Sequence, residues 1–439
     1  DNYKIADTVV VTLDDQDLNT DSELIDVYIT KSDDKVGDGS GDHILDITFD
    51  DLTWVDKTEG SCSGTITGDD GLLATGFTLV ETDIASGSFT GSFQVPTNFC
   101  NTSSDTIVGV TGTDIEVNYN DFRDASGETI EVGDGASINA NTGSVAFDRT
   151  VYPVPFGSDS SNTRFALHAS ATGDVDLAQG NVVVHVRVTD ADYDVSASGE
   201  DVIKDTTVVI KIERGSSTTT LATIGDSVAD QLVEVSPDSG VFEYDQTVTY
   251  TDGPTTDCPS VFSSGCVLQG DILTVTYTDN QDASGKSQTV TDSATFDLRN
   301  GVLQSDKSVY LIGSDMILTL IEPDFDLDND GAESYTLDLI EWDSDASTTT
   351  MGTLGVSGAN AAFDPEPSQL RETGDSTGIF QIVIEIPATL ASNVLDRGEK
   401  IDLEYTDWGP AGADYVGQED EDIGLTVYTS NFGATIELD

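Results

Sequence analysis

Three acidic runs contain the residues of this chain that are best suited, by type and by spacing, to bind a ligand. In each run, carboxylates occupy alternate positions just after an apolar segment. This spacing puts alternate side chains on one side of an extended segment, and a turn can bring their oxygens together. Crowded carboxylates repel unless a cation lies between them, and hard oxygen ligands favour Ca²⁺. The carboxylates are Asp15, Asp17 and Asp21, then Asp190, Asp192 and Asp194, then Asp324, Asp326, Asp328 and Asp330.

The third run is the most specific of the three. Its segment Asp326–Gly331 reads Asp-x-Asp-x-Asp-Gly, which matches an EF-hand loop as far as its sharp turn. The twelfth position of such a loop would be Leu337 rather than glutamate, and no flanking helices are indicated. We therefore predict a calcium loop that is not an EF-hand. The first run carries Asn19 where the others carry aspartate, which weakens the prediction there.

Two further acidic landmarks accompany each run. One is a Ser/Thr-Gly-x-Phe turn, and the other is a strand that ends in Tyr-x-Asp. Loops distant in sequence meet at one end of a β-sandwich, so we expect run, turn and strand end to converge on one or two Ca²⁺ per copy. The alternative is a solvated acidic surface without a site. The turn carboxylates are Glu81 with Asp83, Glu234 with Asp238, and Glu372 with Asp375; the strand ends supply Asp121, Asp279 and Asp407, with Asp124 and Asp282 just beyond.

Enzymatic function is not expected. Carboxylate pairs serve glycosidases, but here the acids recur in all three copies, whereas an active site normally occurs once. The sequence contains no recognisable Ser-His-Asp or Cys-His arrangement and no glycine-rich loop between a strand and a helix. His185 lies in a β-branched run, where it is better interpreted as a strand residue than as a base.

The acidic landmarks recur in one order three times, which indicates tandem domains. Tyr3–Leu13 aligns without gaps with Tyr310–Leu320, and a third copy ends at Val182–Val188. Apolar residues with a period of two, as in Ile379–Ile386, lie between Gly, Asp and Ser clusters, and long helical stripes are missing. These features predict an all-β chain of tandem immunoglobulin-like β-sandwich domains.

We place the predicted domains at residues 1–145, 146–303 and 304–439. The first copy begins without the residues that precede Tyr310 in the third copy. We therefore expect a piece of a longer array whose first domain is incomplete at its start.

The net charge of the chain limits which classes of molecule it can bind. The 439 residues include 82 Asp and Glu against 17 Lys and Arg, a net charge of −65. This charge excludes nucleic acid and disfavours an anionic membrane surface. No stretch approaches the ~18 apolar residues of a spanning helix. High charge also raises the question of disorder, but 37% of residues are hydrophobic and clustered, which indicates folded cores.

Four cysteines form one local pair in each of two regions, and we predict the disulfides Cys62–Cys100 and Cys258–Cys266. The alternative is four buried thiols. With the acidity and the scarcity of lysine, the pairs favour an extracellular protein. Asn101-Thr102-Ser103 matches a glycosylation acceptor, which predicts modification of Asn101.

Three segments resemble the surface-layer (S-layer) proteins of marine ammonia-oxidising archaea: Phe147–Phe156, Val184–Asp201 and Ser293–Tyr310. The resemblance implies a parent chain of immunoglobulin-like domains that self-assembles into a porous two-dimensional lattice on the cell surface. S-layer proteins generally depend on Ca²⁺ for assembly. The acidic residues above are assigned from their own spacing and not from the family.

Charge and resemblance together give the functional expectation. Identical subunits near −65 repel one another unless cations bridge them, so we expect a lattice that depends on Ca²⁺. One to three ions per copy would neutralise only about 6–18 charges, and the remaining field would enrich small cations, ammonium among them. The alternatives are a calcium-rigidified adhesin and a secreted protein adapted to high salt.

Overall fold

The computed structural model describes residues 2–29, 44–54, 77–101, 106–156, 180–195, 199–204, 207–225, 230–249, 267–352 and 359–430. These residues are almost entirely β-structure, arranged as three β-sandwich modules in tandem, as predicted. None of the helices found in these ranges is both long enough and apolar enough to cross a membrane. Cys62, Cys258 and Cys266, with Thr102 and Ser103 of the acceptor triplet, lie outside them, so both disulfides and the glycosylation of Asn101 stay predictions.

The first module has one sheet in the order β1-β11-β10-β4-β5 and a second in the order β2-β7-β6-β3. A separate hairpin joins β8 to β9. The strands are β1 (Asn2–Lys4), β2 (Thr8–Asp14), β3 (Val27–Ile29), β4 (Leu45–Phe49), β5 (Leu52–Thr53), β6 (Thr78–Glu81), β7 (Ser88–Gln94), β8 (Asn98–Asn101), β9 (Thr106–Gly109), β10 (Asp114–Asp121) and β11 (Ile130–Asn139), with a 3-10 turn at Gln16–Leu18.

The second module has sheets in the orders β12-β14-β19-β18-β15 and β13-β21-β20-β16-β17. Its strands are β12 (Ser144–Phe147), β13 (Val151–Pro153), β14 (Val182–Thr189), β15 (Val202–Ile203), β16 (Val208–Arg214), β17 (Ser217–Thr223), β18 (Leu232–Glu234), β19 (Val241–Val248), β20 (Ile272–Asp279) and β21 (Gln288–Asp297), with a 3-10 turn at Ala191–Tyr193.

The third module repeats this plan with sheets β22-β24-β29-β28-β25 and β23-β33-β32-β26-β27. Its strands are β22 (Val302–Ser305), β23 (Val309–Leu311), β24 (Asp315–Ile321), β25 (Ser334–Tyr335), β26 (Ile340–Ser344), β27 (Thr348–Thr350), β28 (Glu366–Glu372), β29 (Ile379–Glu385), β30 (Thr389–Leu390), β31 (Asn393–Val394), β32 (Lys400–Asp407) and β33 (Glu421–Ser430); 3-10 turns lie at Pro323–Phe325 and Leu337–Leu339, and helix α1 at Ala359–Phe363.

Alternation of residue types along the strands explains the sandwiches. In β24, Met316, Leu318 and Leu320 are fully buried, while the side chains between them point the other way. Successive side chains of a strand face opposite sides, so such a segment lays one apolar face on the opposing sheet. In each module the short strand β1, β13 or β23 also pairs in parallel with the last strand, β11, β21 or β33.

Among the described residues, the buried hydrophobic side chains form two clusters. One belongs to the first module alone, and the other runs without a break through the second and third modules. Phe156 and Phe325 meet at that second junction, with ring centroids 5.8 Å apart. The chain passes from the first module to the second between Asn139 and Ser144, and from the second to the third between Asp297 and Val302. These linkers lie a few residues before the domain boundaries placed after residues 145 and 303.

Candidate functional site

Each acidic run begins with a carboxylate that caps a single 3-10 turn. The side chains of Asp15, Asp190 and Glu322 accept the N–H two residues ahead, at 2.8, 3.0 and 3.2 Å. The structure therefore aligns Glu322, which sequence reasoning did not select, with the first carboxylates of the other two runs. In a 3-10 turn successive side chains differ by about 120°, so residues at alternate positions point in three directions. The alternate carboxylates around each turn thus point in different directions.

The Tyr-x-Asp strand supplies the partner of the capping carboxylate. The hydroxyl of Tyr119 donates to Asp15 at 2.5 Å, that of Tyr405 donates to Glu322 at 2.8 Å, and that of Tyr277 donates to Asp190. Burial, reinforced by Asp190, raises the pKa of Tyr277, so the phenol keeps its proton and remains a donor.

The Gly-x-Phe turn places a buried glutamate against the run. Glu81, Glu234 and Glu372 are at most 4% exposed. They accept the N–H groups of Gly87, Gly240 and Gly378 at 2.9, 2.9 and 2.7 Å. These glycines have φ near +60°, and their carbonyls accept the N–H of the capping residue at 2.8–2.9 Å. A Cβ on Gly240 would lie 3.0 Å from Ala191, so the glycine allows turn and run to touch.

A third acidic position completes the arrangement. The N–H groups of Asp26, Asp201 and Glu333 donate to the buried glutamates at 3.2, 3.0 and 3.3 Å. Their side chains accept N–H groups at the end of the run, such as that of Val195 at 2.8 Å. Sequence reasoning missed them, although one signal was available. Each lies 11 residues after the capping carboxylate: 26 − 15, 201 − 190 and 333 − 322.

In the part of the chain that the structure describes, two clusters of three carboxylates result. Asp194, Asp201 and Glu234 each offer an oxygen within 4.8 Å of the others, and the same holds for Asp326, Glu333 and Glu372. The first module has Asn19, Asp26 and Glu81 at the corresponding positions. One buried oxygen at each place has no hydrogen-bond partner: Asn19 Oδ1, Asp194 Oδ1 and Glu333 Oε2.

The electrostatics of the clusters favour a cation. Burial, with Glu234 nearby, raises the pKa of Asp194 to about 7. Burial raises the pKa of Asp326 to about 6 despite the opposing Arg149. Burial and the adjacent carboxylate of Glu372 raise the pKa of Glu333 to about 8. Carboxylates crowded in a low dielectric resist ionisation together, and a bound divalent cation would remove that resistance.

Other predicted ligands, from the runs and from the strand ends, accept hydrogen bonds from the linkers between modules. Asp192 accepts the N–H of Asn141 at 2.8 Å, and Asp279 accepts that of Gly143 at 2.9 Å. The next linker repeats the pattern, with Arg299 bonded to Asp324 at 2.8 Å and Gly301 bonded to Asp407 at 2.9 Å. These four carboxylates therefore orient one module on the next and stand apart from the clusters.

The remaining candidates serve local turns or surfaces. Asp328 and Asp330 lie beside His185 of the second module, and Asp238 accepts Gln94 Nε2 at 2.7 Å across the first junction. Asp17 and Asp375 are exposed. Backbone N–H groups of their own turns bond to Asp21, Asp83, Asp121, Asp124 and Asp282. Of the predicted ligands, the structure thus brings Asp194 together with Glu234, and Asp326 together with Glu372, in groups that could hold a metal ion.

An anionic cleft of about 810 Å³ lies between the first and second modules. Its lining includes Asp192, Glu200, Asp201 and Asp279, with Lys204 as a basic side chain. One edge of the second-module cluster, Asp201, therefore borders solvent that small cations can enter.

Comparisons with known proteins give no close relative. No protein-family model and no curated protein matches the chain. The solved S-layer protein rSbsC aligns over 99% of this chain and 54% of its own, at 11% identity and a TM-score of 0.20. The Escherichia coli adhesin FdeC aligns over 88% of this chain and 97% of its own, at 12% identity and the same score. This chain thus spans about half of the SbsC structure, and at such TM-scores the likeness supports neither a shared fold nor a shared function.

Proposed function

We propose that this chain is a structural segment of a cell-surface layer, in which tandem β-sandwiches are stiffened by Ca²⁺. The observation that carries the proposal is the cluster of three carboxylates, which recurs at the same place in the second and third modules. A repeated site suits a repeated structural task, and the linkers fixed by Asp192, Asp279, Asp324 and Asp407 suit a chain that has to hold its shape.

Calcium fits the donor set. The clusters offer carboxylate oxygens only, which are hard ligands, and they lack the nitrogen and sulfur atoms that zinc or copper prefer. Ca²⁺ takes about 6–8 oxygens, so three carboxylates leave positions for further oxygens. Bound calcium would lock the run, the Gly-x-Phe turn and the loop of Asp201 or Glu333 to one another.

Calorimetric titration of Ca²⁺ into chelator-treated protein tests the sites. We expect two strong sites per chain and a Tm that rises by roughly 5–10 °C at one hundred times the Kd. Asp194→Asn should remove one site, whereas Asp282→Asn, which alters an exposed turn, should remove none. Heat-free titration with an unchanged Tm would contradict the proposal.

The sequence resemblance to S-layer proteins supports layer formation, and the charge supports its dependence on cations. Subunits at −65 repel one another, so association needs bridging or screening cations. Electron microscopy of the chain on a supported surface, with and without Ca²⁺, tests this step. Ordered two-dimensional arrays that dissolve in chelator are expected. Isolated particles under both conditions would favour an adhesin.

The same charge supports cation enrichment at the cell surface. Site-bound calcium neutralises few of the 82 acidic groups, and the cleft between the first two modules is lined by carboxylates. A surface of this kind attracts small cations, ammonium included, and repels anions. Equilibrium dialysis with labelled ammonium should show accumulation that falls as salt rises; equal concentrations inside and outside at low salt would refute it.

A further inference from the structure

The outward face of β14 carries a histidine at a position where the other modules carry an apolar residue. His185 lies five residues before its capping carboxylate, as do Val10 and Ile317 in the first and third modules: 190 − 185, 15 − 10 and 322 − 317. Val10 and Ile317 are 63% and 40% exposed, whereas His185 is 2% exposed. Because His185 points away from the core of its own sandwich, its burial comes from outside that core.

The end of the third module's acidic run covers the ring. Asp328 Oδ1 lies 3.0 Å from Nε2 of His185, and Asp330 Oδ2 lies 3.7 Å from Nδ1. From the neighbouring strand β19, Asp245 Oδ1 lies 2.8 Å from Nδ1. A ring nitrogen, an oxygen of Glu243 and an oxygen of Asp330 all lie within 4.8 Å of one another. The second and third modules thus both contribute to one group of metal-ligating atoms.

Both ring nitrogens of His185 face carboxylate oxygens, and this arrangement requires a cation. A neutral imidazole has one N–H, so its other nitrogen would point a lone pair at a carboxylate. Nε2 faces Asp328, which suits an N–H donor, while Nδ1 faces Asp245 and Asp330. Metal-ligating histidines almost always donate their other ring N–H in this way. In the absence of a metal, a proton on Nδ1 takes its place.

An unpaired oxygen lies at the same junction. Asn329, between Asp328 and Asp330 in the sequence, has a buried Oδ1 without a hydrogen-bond partner in the part of the chain that the structure describes. Its amide nitrogen donates to Asp148, which also accepts the backbone N–H of His185 at 3.2 Å. The loop of the third module is therefore fixed beside the ring while one of its acceptors stays unsatisfied.

We propose that His185, Glu243 and Asp330 bind a divalent transition-metal ion of the Zn²⁺ type, which joins the third module to the second. One imidazole nitrogen with two carboxylate oxygens is a donor set for zinc, whereas Ca²⁺ takes oxygen ligands. Bonds of about 2.0–2.2 Å require the three atoms to draw together. The side chain of Asp330 is 56% exposed, so it can make this movement. Glu243 Oε2 accepts a hydrogen bond from Arg187, and a carboxylate has a second oxygen to offer the ion.

This site differs from the calcium clusters in its chemistry and in its task. It has a nitrogen ligand and spans two modules, whereas the calcium clusters offer only oxygen and each lies within one module. The inference therefore goes beyond the proposed function and does not depend on it.

Titration of Zn²⁺ into the full chain, saturated with Ca²⁺ and near neutral pH, tests the site. We expect one zinc ion per chain. His185→Gln should abolish this binding, and Asp328→Asn, which removes the acceptor of Nε2–H, should weaken the affinity about 10–100-fold. His168→Gln makes the same change at a histidine outside the described residues, and it should leave zinc binding unaltered.

Nitrogen NMR of the three histidines identifies the ligand atom. Zn²⁺ should shift Nδ1 of one imidazole, the one whose signals are missing from His185→Gln, and leave its Nε2 protonated. Asp330→Asn changes an exposed side chain and so leaves the fold intact; it should weaken zinc binding at least as much as Asp328→Asn does.

Three results would overturn the site: a chain that binds no zinc, a zinc site that survives His185→Gln, or imidazole signals that zinc does not shift. A site that survives the substitution would assign zinc to the acidic surface instead. Calcium is present throughout and its clusters are titrated separately, so the failure of either proposal leaves the other standing.

Discussion

At the scale of single residues, the three modules differ at the cluster position nearest the acidic run. Asp194 and Asp326 are buried carboxylates, whereas Asn19 is a neutral amide whose Oδ1 has no hydrogen-bond partner. A cation held by three negative charges loses a large part of its attraction when one becomes neutral. The first module should therefore bind calcium least.

Asn19→Asp should install the missing site. We expect calorimetric titration to show one more strong Ca²⁺ site than the parent chain. In chelator the same variant should unfold at a lower temperature, because it adds an unpaired charge beside Asp26 and Glu81. Asn19→Ala serves as control and should add no site; an unchanged stoichiometry for Asn19→Asp would count against the assignment.

His185 gives the second junction a dependence on pH. Burial lowers its pKa, but hydrogen bonds to Asp328 and Asp245 outweigh that effect and raise it above 6.5. The carboxylates that face the ring are Asp148, Glu243 and Asp245 of the second module and Asp328 and Asp330 of the third. The stability that protonated His185 contributes to the folded protein is complete below pH 6.5, and it is lost as the pH rises through the raised pKa.

We expect His185→Gln to lower the Tm by a few degrees near pH 5.5 and hardly at all near pH 8.5, in saturating calcium. Differential scanning calorimetry of both proteins across this range gives the measurement. The difference between the two proteins isolates the contribution of the histidine. A difference that is constant with pH would contradict the role given to His185.

At the scale of elements, the left-handed glycine decides whether turn and run can touch. Gly215 and Gly240 share φ of +59°, but a Cβ on Gly215 meets nothing within 4 Å, while one on Gly240 meets Ala191 at 3.0 Å. Gly215→Ala should cost only the backbone strain, about 1–2 kcal/mol. Gly240→Ala should lower the Tm further and also weaken calcium binding in the second module. Equal losses for both variants would show that the contact has no role.

The strands could largely be predicted from the sequence, whereas the carboxylate clusters could be predicted only in part. Period-two segments such as Ile379–Ile386 specify strands directly, and the repeated landmarks align the modules. The Asp-x-Asp spacing predicts an extended segment whose carboxylates converge where it turns. A single 3-10 turn instead sends Asp190, Asp192 and Asp194 to different partners. Asp201 and Glu333 lie in loops without a motif, so only their constant distance from the cap could have marked them.

At the scale of the whole molecule, the two hydrophobic cores should unfold separately. The second and third modules share one continuous core across Phe156 and Phe325, whereas the first has its own. Calorimetry in calcium should therefore show two transitions, the larger for the joined pair. Phe325→Ala, which removes a ring at the junction, should broaden or split the larger transition and leave the smaller unchanged. A single transition, or three in the parent chain, would contradict this division.

The parallel pairing of each module's short early strand with its last strand has a mechanical consequence. β13 and β21, or β23 and β33, point the same way, so a pull on the two ends of a module slides one past the other. The hydrogen bonds between them then bear the load together in shear instead of opening one at a time. A chain of such modules should therefore resist stretching along its length.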